Sequence, residues 1–573
     1  MNIDNTIFRM YDIRGEVDKN FTGEVVEAIG RAYAIYLKDK FGETCPEPWT
    51  ATFQCRLVSG RPLTVSVARD IRLHSEKLKD ALISGILSEG VNVIDLGVCP
   101  TPVLYFSLFN LSVDGGIMIT GSHNPPEFNG MKVCIGKETI YGEEIQKLYK
   151  IARDLPSGIE GKKGELSHFD ILSKYKSFLL TEFKGIKHYI SHSVPVICHP
   201  ALFSLRKQAL VSCHPELVSG SRFSHSEHSP SHSEHPSHNS EPPFRHSEPP
   251  FRHSEPPFRH SERSEESPLL QSEASTLLRI AVDSGNGCAG IFVPQVLKEL
   301  GINVFELYSE PDGNFPNHHP DPTLVETLVT LQDTVKNNNL DFGIAYDGDV
   351  DRLGVIDEGG NVVYGDKLTY VFAKDILETH PGGKIIGEVK CSKTLFGGVK
   401  RLGGVPILSP VGHSLIKGKM KKEGALLAGE MSGHIFFNDR YFGYDDAIYA
   451  TLRLIEIFVK EKANDSNFKF SYLLKELPKV YVSPEIRVDC KEEEKFALVE
   501  QFLSSFKAKF PNLAKKIENI ITIDGVRIEF SGGWGLIRAS NTQPVLVMRF
   551  EALTKEALEE YEQSFKITLG GGK

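Results

Sequence analysis

The sequence lacks an excess of positive charge. Its 573 residues include 65 Lys and Arg against 75 Asp and Glu, which gives a formal net charge of -10. Proteins that bind the nucleic-acid backbone need a basic surface, because phosphate contacts are made by cations. The composition therefore argues against nucleic acid as the main partner and predicts that any bound phosphate belongs to a small molecule.

Paired cysteines and long apolar runs are also missing. The chain has 9 scattered cysteines and no Cys-x-x-Cys pair, so neither a zinc knuckle nor a disulfide framework is indicated. No run approaches the ~20 apolar residues of a membrane helix, and residues 1–9 contain no apolar core of a targeting segment. These absences predict reduced thiols and a cytoplasmic protein without a membrane partner.

Apolar strand-like runs alternate with helical patterns along most of the chain. Residues 63–68, 91–96 and 115–119 are strand-like, whereas residues 75–89 have helical periodicity. This alternation is typical of βα units. The same rhythm returns at residues 278–282, 303–307 and 342–346, and again at 384–389 and 425–428.

The predicted fold class is α/β, with three tandem mixed α/β domains plus a smaller C-terminal α+β domain around a central cleft. The smaller domain is indicated by strands and turns around residues 481–488 and 522–529 and by a closing helix at 555–565, all after a helical pattern at 447–464. The expected domains are 1–165, 166–363, 364–477 and 478–573.

One segment, residues 191–275, interrupts the second predicted domain. It is rich in His, Ser, Pro and Glu, and Ser-Glu-Pro-Pro-Phe-Arg-His occurs in tandem at 240–246, 247–253 and 254–260. This seven-residue period cannot be a coiled coil, because proline breaks the helix in every copy. We expect a disordered insertion in a surface loop, with metal binding by its histidines as the alternative.

The first motif with chemical potential is Thr-Gly-Ser-His-Asn-Pro-Pro at residues 120–126, directly after the apolar run 116–119. The prolines prevent a helix from following, since each fixes φ and lacks an N–H. The sequence therefore predicts that Ser122 lies on a rigid, exposed bend at the end of a buried strand, where a nucleophile or phosphate carrier belongs.

A second motif, Asp-Gly-Asp-Val-Asp-Arg at residues 347–352, follows the apolar run 342–346. Asp347, Asp349 and Asp351 alternate, and the glycine lets the backbone turn so that their oxygens converge. Oxygen ligands suit Mg²⁺. The motif predicts a Mg²⁺ site rather than a solvated turn, because carboxylates this close repel one another without a cation.

Two further loops offer groups for a polyhydroxylated ligand and for a phosphate. Gly-Glu-Met-Ser-Gly-His at residues 429–434 combines a carboxylate, a hydroxyl and an imidazole, which suit vicinal hydroxyls. Arg-Ala-Ser-Asn-Thr-Gln-Pro at residues 538–544 combines an arginine, hydroxyls, an amide and turn N–H groups. With no acid nearby, this loop predicts a phosphate cradle, although alone it could be a capped turn.

Together the four motifs resemble the four loops of the α-D-phosphohexomutases, closest to the bacterial phosphomannomutase/phosphoglucomutase branch. In that family the phosphoserine, metal, sugar-binding and phosphate-binding loops occur in this order, one in each domain. The resemblance covers almost the whole chain apart from the repeat segment and residues 41–61. It implies an enzyme that interconverts hexose 1-phosphate and hexose 6-phosphate (mannose, glucose or both) through a phosphoserine and a hexose 1,6-bisphosphate, which is both intermediate and activator.

Individual residues can be assigned from the matching positions. The resemblance implies that Ser122 carries the phosphate and joins Asp347, Asp349 and Asp351 as a Mg²⁺ ligand. The implied catalytic residues besides Ser122 are Arg14, His123, Lys132 and Arg352. The implied substrate contacts are Tyr11, Lys390, His413, Glu430, Ser432, His434, Arg538, Ser540, Asn541 and Thr542.

Other functions stay open at this point. Within the family, a phosphoglucosamine mutase and a catalytically impaired phosphosugar-binding paralogue are alternatives. A remote alternative is a dinucleotide-dependent oxidoreductase, because Gly285, Gly287 and Gly290 form a G-x-G-x-x-G pattern, and Glu306 ends the next strand-like run. The expected partners are small-molecule phosphosugars, and the expected state is a monomer or weak dimer.

Overall fold

The computed structural model describes residues 3–41, 61–155, 163–191, 278–541 and 544–570. Apart from its first residue, the repeat segment lies outside the described residues, as does the predicted substrate contact Thr542. Among the helices in these ranges, none is both long enough and apolar enough to cross a membrane.

The first sheet is mixed and has seven strands. Strands β1–β7 span Ile13–Glu16, Thr64–Arg69, Asn92–Val98, Gly115–Ile119, Phe128–Ile135, Glu138–Thr139 and Leu166–His168. Their order is β1, β5, β4, β2, β3, β7, with β6 beside β5. Strand β4 is buried along its whole length and parallel to β2, and β5 returns antiparallel to it. Helices α1–α6 span Gly23–Phe41, Ser75–Ser88, Thr101–Asn110, Glu143–Arg153, Ile171–Glu182 and Lys184–Ser191.

The second sheet has five strands in the order β12, β11, β10, β8, β9. Strands β8–β12 span Arg279–Asp283, Asn303–Leu307, Phe342–Tyr346, Leu353–Asp357 and Val362–Val363. Strands β10, β8 and β9 are parallel, and β11 is antiparallel to β10. Helices α7 and α8 span Val293–Glu299 and Val329–Asn337.

The third sheet has four strands in the order β14, β13, β15, β16. Strands β13–β16 span Lys384–Glu388, Val405–Ser409, Leu427–Gly429 and Ile435–Phe437. The first three are parallel, and β16 returns antiparallel to β15. Helices α9–α12 span Gly365–Thr379, Lys393–Arg401, His413–Glu423 and Ala447–Asn464.

The fourth sheet is antiparallel, in the order β17, β22, β21, β20, β19, with β18 also beside β22. Strands β17–β22 span Tyr481–Val482, Ile486–Asp489, Ile517–Ile521, Val526–Phe530, Gly533–Ala539 and Val545–Ala552, and helices α13–α15 span Lys495–Lys509, Pro511–Ala514 and Lys555–Thr568. The segment predicted at 522–529 begins as a turn and becomes a strand only at Val526. Gly525, at φ +82°, makes this turn in a conformation that glycine adopts readily.

The three mixed sheets share one arrangement. In each, a buried parallel strand ends in a loop that returns as its antiparallel neighbour: β4 leads to β5, β10 to β11, and β15 to β16. The first three sequence motifs occupy these three loops, and the fourth joins β21 to β22. The predicted class of three mixed α/β domains followed by a smaller α+β domain is confirmed.

One apolar core connects the first three domains, whereas the fourth has its own. In the shared core, Phe183, between α5 and α6, packs against Tyr449 of α12, with ring centroids 5.2 Å apart. The fourth domain joins the third through a small apolar cluster that includes Val389 and Trp534. The first three domains are therefore packed as one body, and the fourth folds around a separate centre.

Phe565 on α15 is the residue whose truncation should test the separate fourth core. It is fully buried, with its ring centroid 4.8 Å from that of Phe502 and 5.0 Å from that of Phe550. We expect Phe565→Ala to lower the free energy of unfolding by about 3–5 kcal/mol, because it leaves a cavity. Urea denaturation measures this. The control is Ile567→Ala on the same helix, where the side chain is 41% exposed; equal losses in both variants would contradict the prediction.

Candidate active site

Ser122 lies on the turn after β4 and is buried, with 3% of its surface exposed. Its φ of +49° is uncommon for a residue with a side chain. The hydroxyl donates a hydrogen bond to Oδ2 of Asp347 at 2.9 Å. The predicted exposure was therefore wrong, because the second domain supplies a cover from a position 225 residues later in the chain.

The phosphoserine loop (residues 120–126) and the metal loop (residues 347–352) touch backbone to backbone. A Cβ atom on Gly348 would lie 2.5 Å from the carbonyl oxygen of Ser122, so only glycine fits there. The sharp backbone turn is instead made by Val350, which is buried at φ +66°. Gly348 therefore allows the two loops to meet, rather than making the turn that the sequence predicts for it.

Asp347, Asp349 and Asp351 form a compact acidic triad, which we call the triad below. All three are fully buried, and their oxygens lie within 4.8 Å of one another. Burial raises the pKa of Asp347 well above its usual range, and repulsion by the other two carboxylates adds to the effect. One oxygen each of Asp349 and Asp351 is buried without a hydrogen-bond partner among the described residues. This all-oxygen donor set fits a hard divalent cation.

Lys132 on β5 compensates part of this negative charge. Its Nζ lies 2.7 Å from Oδ2 of Asp349 and also contacts Asp351. The Asp349 carboxylate also accepts a hydrogen bond from the Thr101 hydroxyl at 2.6 Å. Burial opposes both charges, yet the pairing raises the pKa of Lys132 and lowers the pKa of Asp349. Both groups are therefore ionised at neutral pH.

Further polar groups surround the serine. Nδ1 of His123 is 3.1 Å from Oγ of Ser122. Arg14 donates a hydrogen bond to the side chain of Asn124 in the same loop at 2.7 Å. Burial, together with Arg352 and Arg14, holds the pKa of His123 well below its usual value. His123 is therefore a neutral neighbour of the hydroxyl, and the positive charge comes from the arginines.

The second domain meets the sugar loop (residues 429–434) through Arg352, whose Nε donates a hydrogen bond to Nε2 of His434 at 3.1 Å. Nδ1 of His434 lies 3.1 Å from Asp445 and 3.6 Å from Asp351. Burial opposes protonation, but these carboxylates raise the pKa of His434. Asp445 was not predicted from the sequence, because nothing around Tyr-Asp-Asp at 444–446 indicates that it meets a histidine from another loop.

The other predicted sugar contacts gather at the same place. The Glu430 carboxylate accepts a hydrogen bond from the backbone N–H of Gly412 at 2.8 Å. His413, the first residue of α11, stacks on His434 with ring centroids 5.7 Å apart. Ser432 is half-buried on the sugar loop. The structure thus brings Glu430, Ser432, His434 and His413 into one cluster.

The Arg538 side chain lies near Asp524, an acid that was not predicted from the sequence. Its Nε donates a hydrogen bond to Oδ2 of Asp524 at 3.1 Å, and the same oxygen accepts a hydrogen bond from the N–H of Val411 at 2.9 Å. The expectation of no acid nearby was therefore wrong, because Asp524 comes from the neighbouring turn before β20. The pair links the phosphate-binding loop (residues 538–544) to the third domain.

The phosphate-binding loop also reaches the first domain. The Asn541 side-chain amide donates a hydrogen bond to the Tyr11 hydroxyl at 2.5 Å, and that hydroxyl donates one to the carbonyl of Val411 at 2.8 Å. Ser540 is buried beside Asn541. Lys390, at the end of the third sheet, pairs with Glu485 of the fourth domain at 3.1 Å. Apart from Thr542, the predicted phosphate contacts therefore lie where three domains meet.

The glycines of the possible dinucleotide pattern are packed against other backbone. A Cβ atom on Gly290 would lie 1.9 Å from the carbonyl of Ser309, and one on Gly287 would lie 2.9 Å from that of Gly348. Glu306 pairs with Lys298 at the surface. These contacts give Gly287 and Gly290 a packing role, and Gly287 packs against the metal loop.

Comparison with known proteins gives matches of the same kind in all four domains. The models of phosphoglucomutase/phosphomannomutase alpha/beta/alpha domains I, II and III match residues 51–157, 259–360 and 364–481. The model of the C-terminal domain matches residues 485–567. The chain belongs to the phosphoglucomutase/phosphomannomutase family.

Relatives support this membership over nearly the whole length of the chain. The phosphomannomutase/phosphoglucomutase of Pseudomonas aeruginosa is 37% identical and covers 98% of this chain and 95% of its own. The phosphoglucomutase of Neisseria gonorrhoeae is 34% identical, with 99% and 97% covered. The crystal structure of a phosphoglucomutase/phosphomannomutase family protein from Burkholderia thailandensis is 32% identical, with a TM-score of 0.73 and 99% and 98% coverage.

Glu388, at the end of β13, is another residue of the site that was not predicted from the sequence. Its carboxylate accepts hydrogen bonds from the backbone N–H groups of Lys390 and Met431, so it fastens the sugar loop to the third sheet. Burial raises the pKa of Glu388 to about 7, and neighbouring Glu430 adds to the shift. The local sequence gives no signal for this role, because Met431 lies 43 residues away.

Metal binding by the triad should be visible as stabilisation. We expect Mg²⁺ to raise the melting temperature of the wild-type protein, because a dication relieves the repulsion among the triad carboxylates; saturation to about 100 times Kd adds ~2.7 kcal/mol. Asp347→Asn should lose most of this shift in a thermal melt. The control is Asp366→Asn, a buried aspartate at the start of α9 that accepts a hydrogen bond from Ser392; it should keep the shift. An undiminished Mg²⁺ response in Asp347→Asn would argue against the site.

Glu388 should make stability depend on pH. Its pKa rises on folding from 4.5 to about 7, so the stability it contributes is complete below pH 4.5 and is lost as the pH rises through 7. Relative to wild type, Glu388→Gln should gain about 3 kcal/mol between pH 4.5 and pH 8. Urea denaturation across this range measures the difference, and a constant difference between the two proteins would refute the prediction.

Proposed function

We propose that the protein is a phosphohexomutase that interconverts hexose 1-phosphates and hexose 6-phosphates through a phosphoserine at Ser122. The observation that carries the proposal is the buried hydroxyl of Ser122, held 2.9 Å from Oδ2 of Asp347 in the triad. Lys132 pairs with the same triad, and Arg14 bonds to Asn124 in the serine's own loop. A serine in a water-poor site rich in fixed charges suits phosphoryl transfer, which depends chiefly on positioning and electrostatics.

The chemistry divides into two transfers. In the first, the bond between phosphorus and Oγ of Ser122 breaks as the phosphoryl group bonds to the free hydroxyl oxygen of a hexose monophosphate, and the proton lost by that hydroxyl is balanced by one gained at Oγ. The resulting hexose 1,6-bisphosphate turns end for end. In the second transfer the other phosphate returns to Ser122, which releases the isomeric monophosphate. Lys132 and Arg352 neutralise the negative charge that spreads over the transferring group.

Mg²⁺ is the proposed cofactor. Asp347, Asp349 and Asp351 would hold it together with an oxygen of the phosphorylated Ser122. When bound, it supplies positive charge that stabilises the transferring phosphoryl group. Hexose 1,6-bisphosphate is the proposed activator, since it can restore the phosphate to a serine that has lost it.

The remaining loops recognise the sugar and its distant phosphate. We assign the sugar hydroxyls to Glu430 and Ser432, with His413, His434 and Lys390 as further contacts. Arg538, Ser540 and Asn541 are assigned to the distal phosphate, with Thr542 beside them in the sequence. A charge-based cradle can accept the phosphate from either end of the sugar, as the reorientation requires. Tyr11 supports this loop through its hydrogen bond with Asn541.

Mannose and glucose phosphates are the proposed substrates, in line with the names of the relatives. The test is conversion of mannose 1-phosphate and glucose 1-phosphate to their 6-phosphates, with Mg²⁺ and a trace of glucose 1,6-bisphosphate. Turnover of both would support dual specificity. If the folded wild-type protein turned over neither, this assignment would fail, and glucosamine 1-phosphate would be assayed next.

Removal of the Ser122 hydroxyl tests directly whether the phosphoryl group is transferred through this serine, which we call the serine relay. Ser122→Ala should lower kcat by about 10⁴-fold or more, because loss of the nucleophile removes the covalent step and cannot be rescued by added bisphosphate. The control is Ser177→Ala, an exposed serine on α5 whose hydroxyl bonds only within its helix among the described residues; it should leave kcat unchanged. Full activity of Ser122→Ala with bisphosphate present would disprove the relay.

A further inference from the structure

A buried pair of side chains, Asp70 and Arg72, lies beneath the phosphoserine loop and takes no part in the proposed chemistry. Both residues belong to the turn between β2 and α2, and their exposed fractions are 2% and 1%. We call them the Asp70–Arg72 clamp. A fully buried guanidinium is costly unless it is paired and hydrogen-bonded, so its partners indicate its role. Both Nη atoms of Arg72 are hydrogen-bonded, whereas its Nε has no hydrogen-bond partner among the described residues.

The two Nη atoms of Arg72 donate to the backbone of the phosphoserine loop and of Phe128, the first residue of β5. Its Nη1 donates hydrogen bonds to the carbonyls of Pro125 at 2.7 Å and Phe128 at 3.0 Å. Its Nη2 donates to the carbonyls of Ser122 at 2.9 Å and Asn124 at 2.5 Å. A single planar group therefore fixes four carbonyl oxygens within seven consecutive residues, which the point charge of a lysine cannot do.

Asp70 holds the start of the same loop. Its Oδ2 accepts a hydrogen bond from the N–H of Gly121 at 3.1 Å and lies 3.4 Å from Nε of Arg72. Its Oδ1 accepts a hydrogen bond from the N–H of Arg72 at 3.0 Å. A Cβ atom on Gly121 would lie 2.4 Å from Nε of Arg72, so the loop rests directly on the guanidinium.

The second domain covers the clamp. The ring of Phe315 lies over the guanidinium of Arg72 at 5.0 Å, and a Cβ atom on Gly313 would meet the Arg72 backbone at 3.0 Å. The second domain, which provides the triad, therefore also packs against the clamp.

The contacts of Asp70 and Arg72 hold the backbone of Ser122 in an uncommon conformation with positive φ. A positive φ at a residue with a side chain persists only where the surroundings impose it. The side-chain oxygen of Ser122 does not touch Arg72; it points to the triad instead. The clamp therefore acts on the backbone, which in turn sets the direction of Oγ.

We propose that the Asp70–Arg72 clamp is a positioning device that aims Oγ of Ser122 for phosphoryl transfer. The proposal rests on the function proposed above for Ser122. It predicts a loss of kcat without a loss of substrate binding, because the assigned sugar and phosphate contacts belong mainly to the third and fourth domains. A clamp needed only for folding would instead lower stability and leave the folded enzyme fully active.

The test is Arg72→Lys, compared with Arg453→Lys. Arg453 is equally buried, at 1% exposure, but pairs with Asp439 and Asp375 away from the site. For Arg72→Lys we expect kcat to fall by about 100-fold, since a displacement of about 1 Å costs this much, with KM changed less than about threefold. Arg453→Lys should keep kcat while losing a similar amount of thermal stability. Phosphorylation of Ser122 by glucose 1,6-bisphosphate, followed by intact mass, should slow in parallel with kcat.

Several outcomes would overturn the proposal. Equal kcat values in Arg72→Lys and Arg453→Lys would do so, as would a loss confined to KM. If Arg72→Lys does not fold, Asp70→Asn decides by the same criteria, and failure of both to fold would assign the pair to folding and reject the proposal. Absence of mutase activity in the wild-type protein would instead reject the proposed function, so the two failures are distinguishable.

Discussion

The ion pairs from Lys132 to Asp349 and Asp351 are the interaction on which the candidate site depends. Three carboxylates with no exposure to solvent repel one another strongly. Within their own domain, Arg352 and two backbone N–H groups relieve Asp347 in part. The cation that pairs directly with Asp349 and Asp351 comes from β5 of the first sheet. Assembly of the first two domains and neutralisation of the acidic triad are therefore the same event, and the turn with Ser122 is brought against Asp347 by that event.

The apolar cores separate the fourth domain from the first three. The first three domains share a core, so the serine, the triad and the sugar loop are held in one tightly packed body. The fourth domain has its own core and reaches the site mainly through polar contacts, such as Asn541 to Tyr11 and Arg538 to Asp524. Polar contacts of this kind can be exchanged for contacts with a phosphate at little cost, whereas a shared apolar core cannot open without exposing its surface to water.

Local features of the fold could be predicted from the sequence, and long-range ones could not. Residues 115–119, 342–346 and 447–464 form the predicted elements with the predicted bounds, because their apolar patterns are governed by nearby positions. The burial of Ser122 and the Asp524 partner of Arg538 depend on segments that are distant in sequence or belong to a neighbouring turn. Sequence motifs identify reactive residue types, but their partners are determined by how the domains pack.

In each of the three mixed sheets, a motif loop joins a parallel strand to its antiparallel neighbour. This shared position affects how the protein can evolve. Each of these loops begins and ends on adjacent strands of its own sheet, so both of its anchor points are preserved when the residues between them are replaced. Residues of one loop that do not contact another loop can therefore be replaced while the strands that anchor the other two loops stay in place, whereas contact positions such as Gly348 against Ser122 must be kept. The architecture permits new substrate preferences to arise in separate, small evolutionary steps.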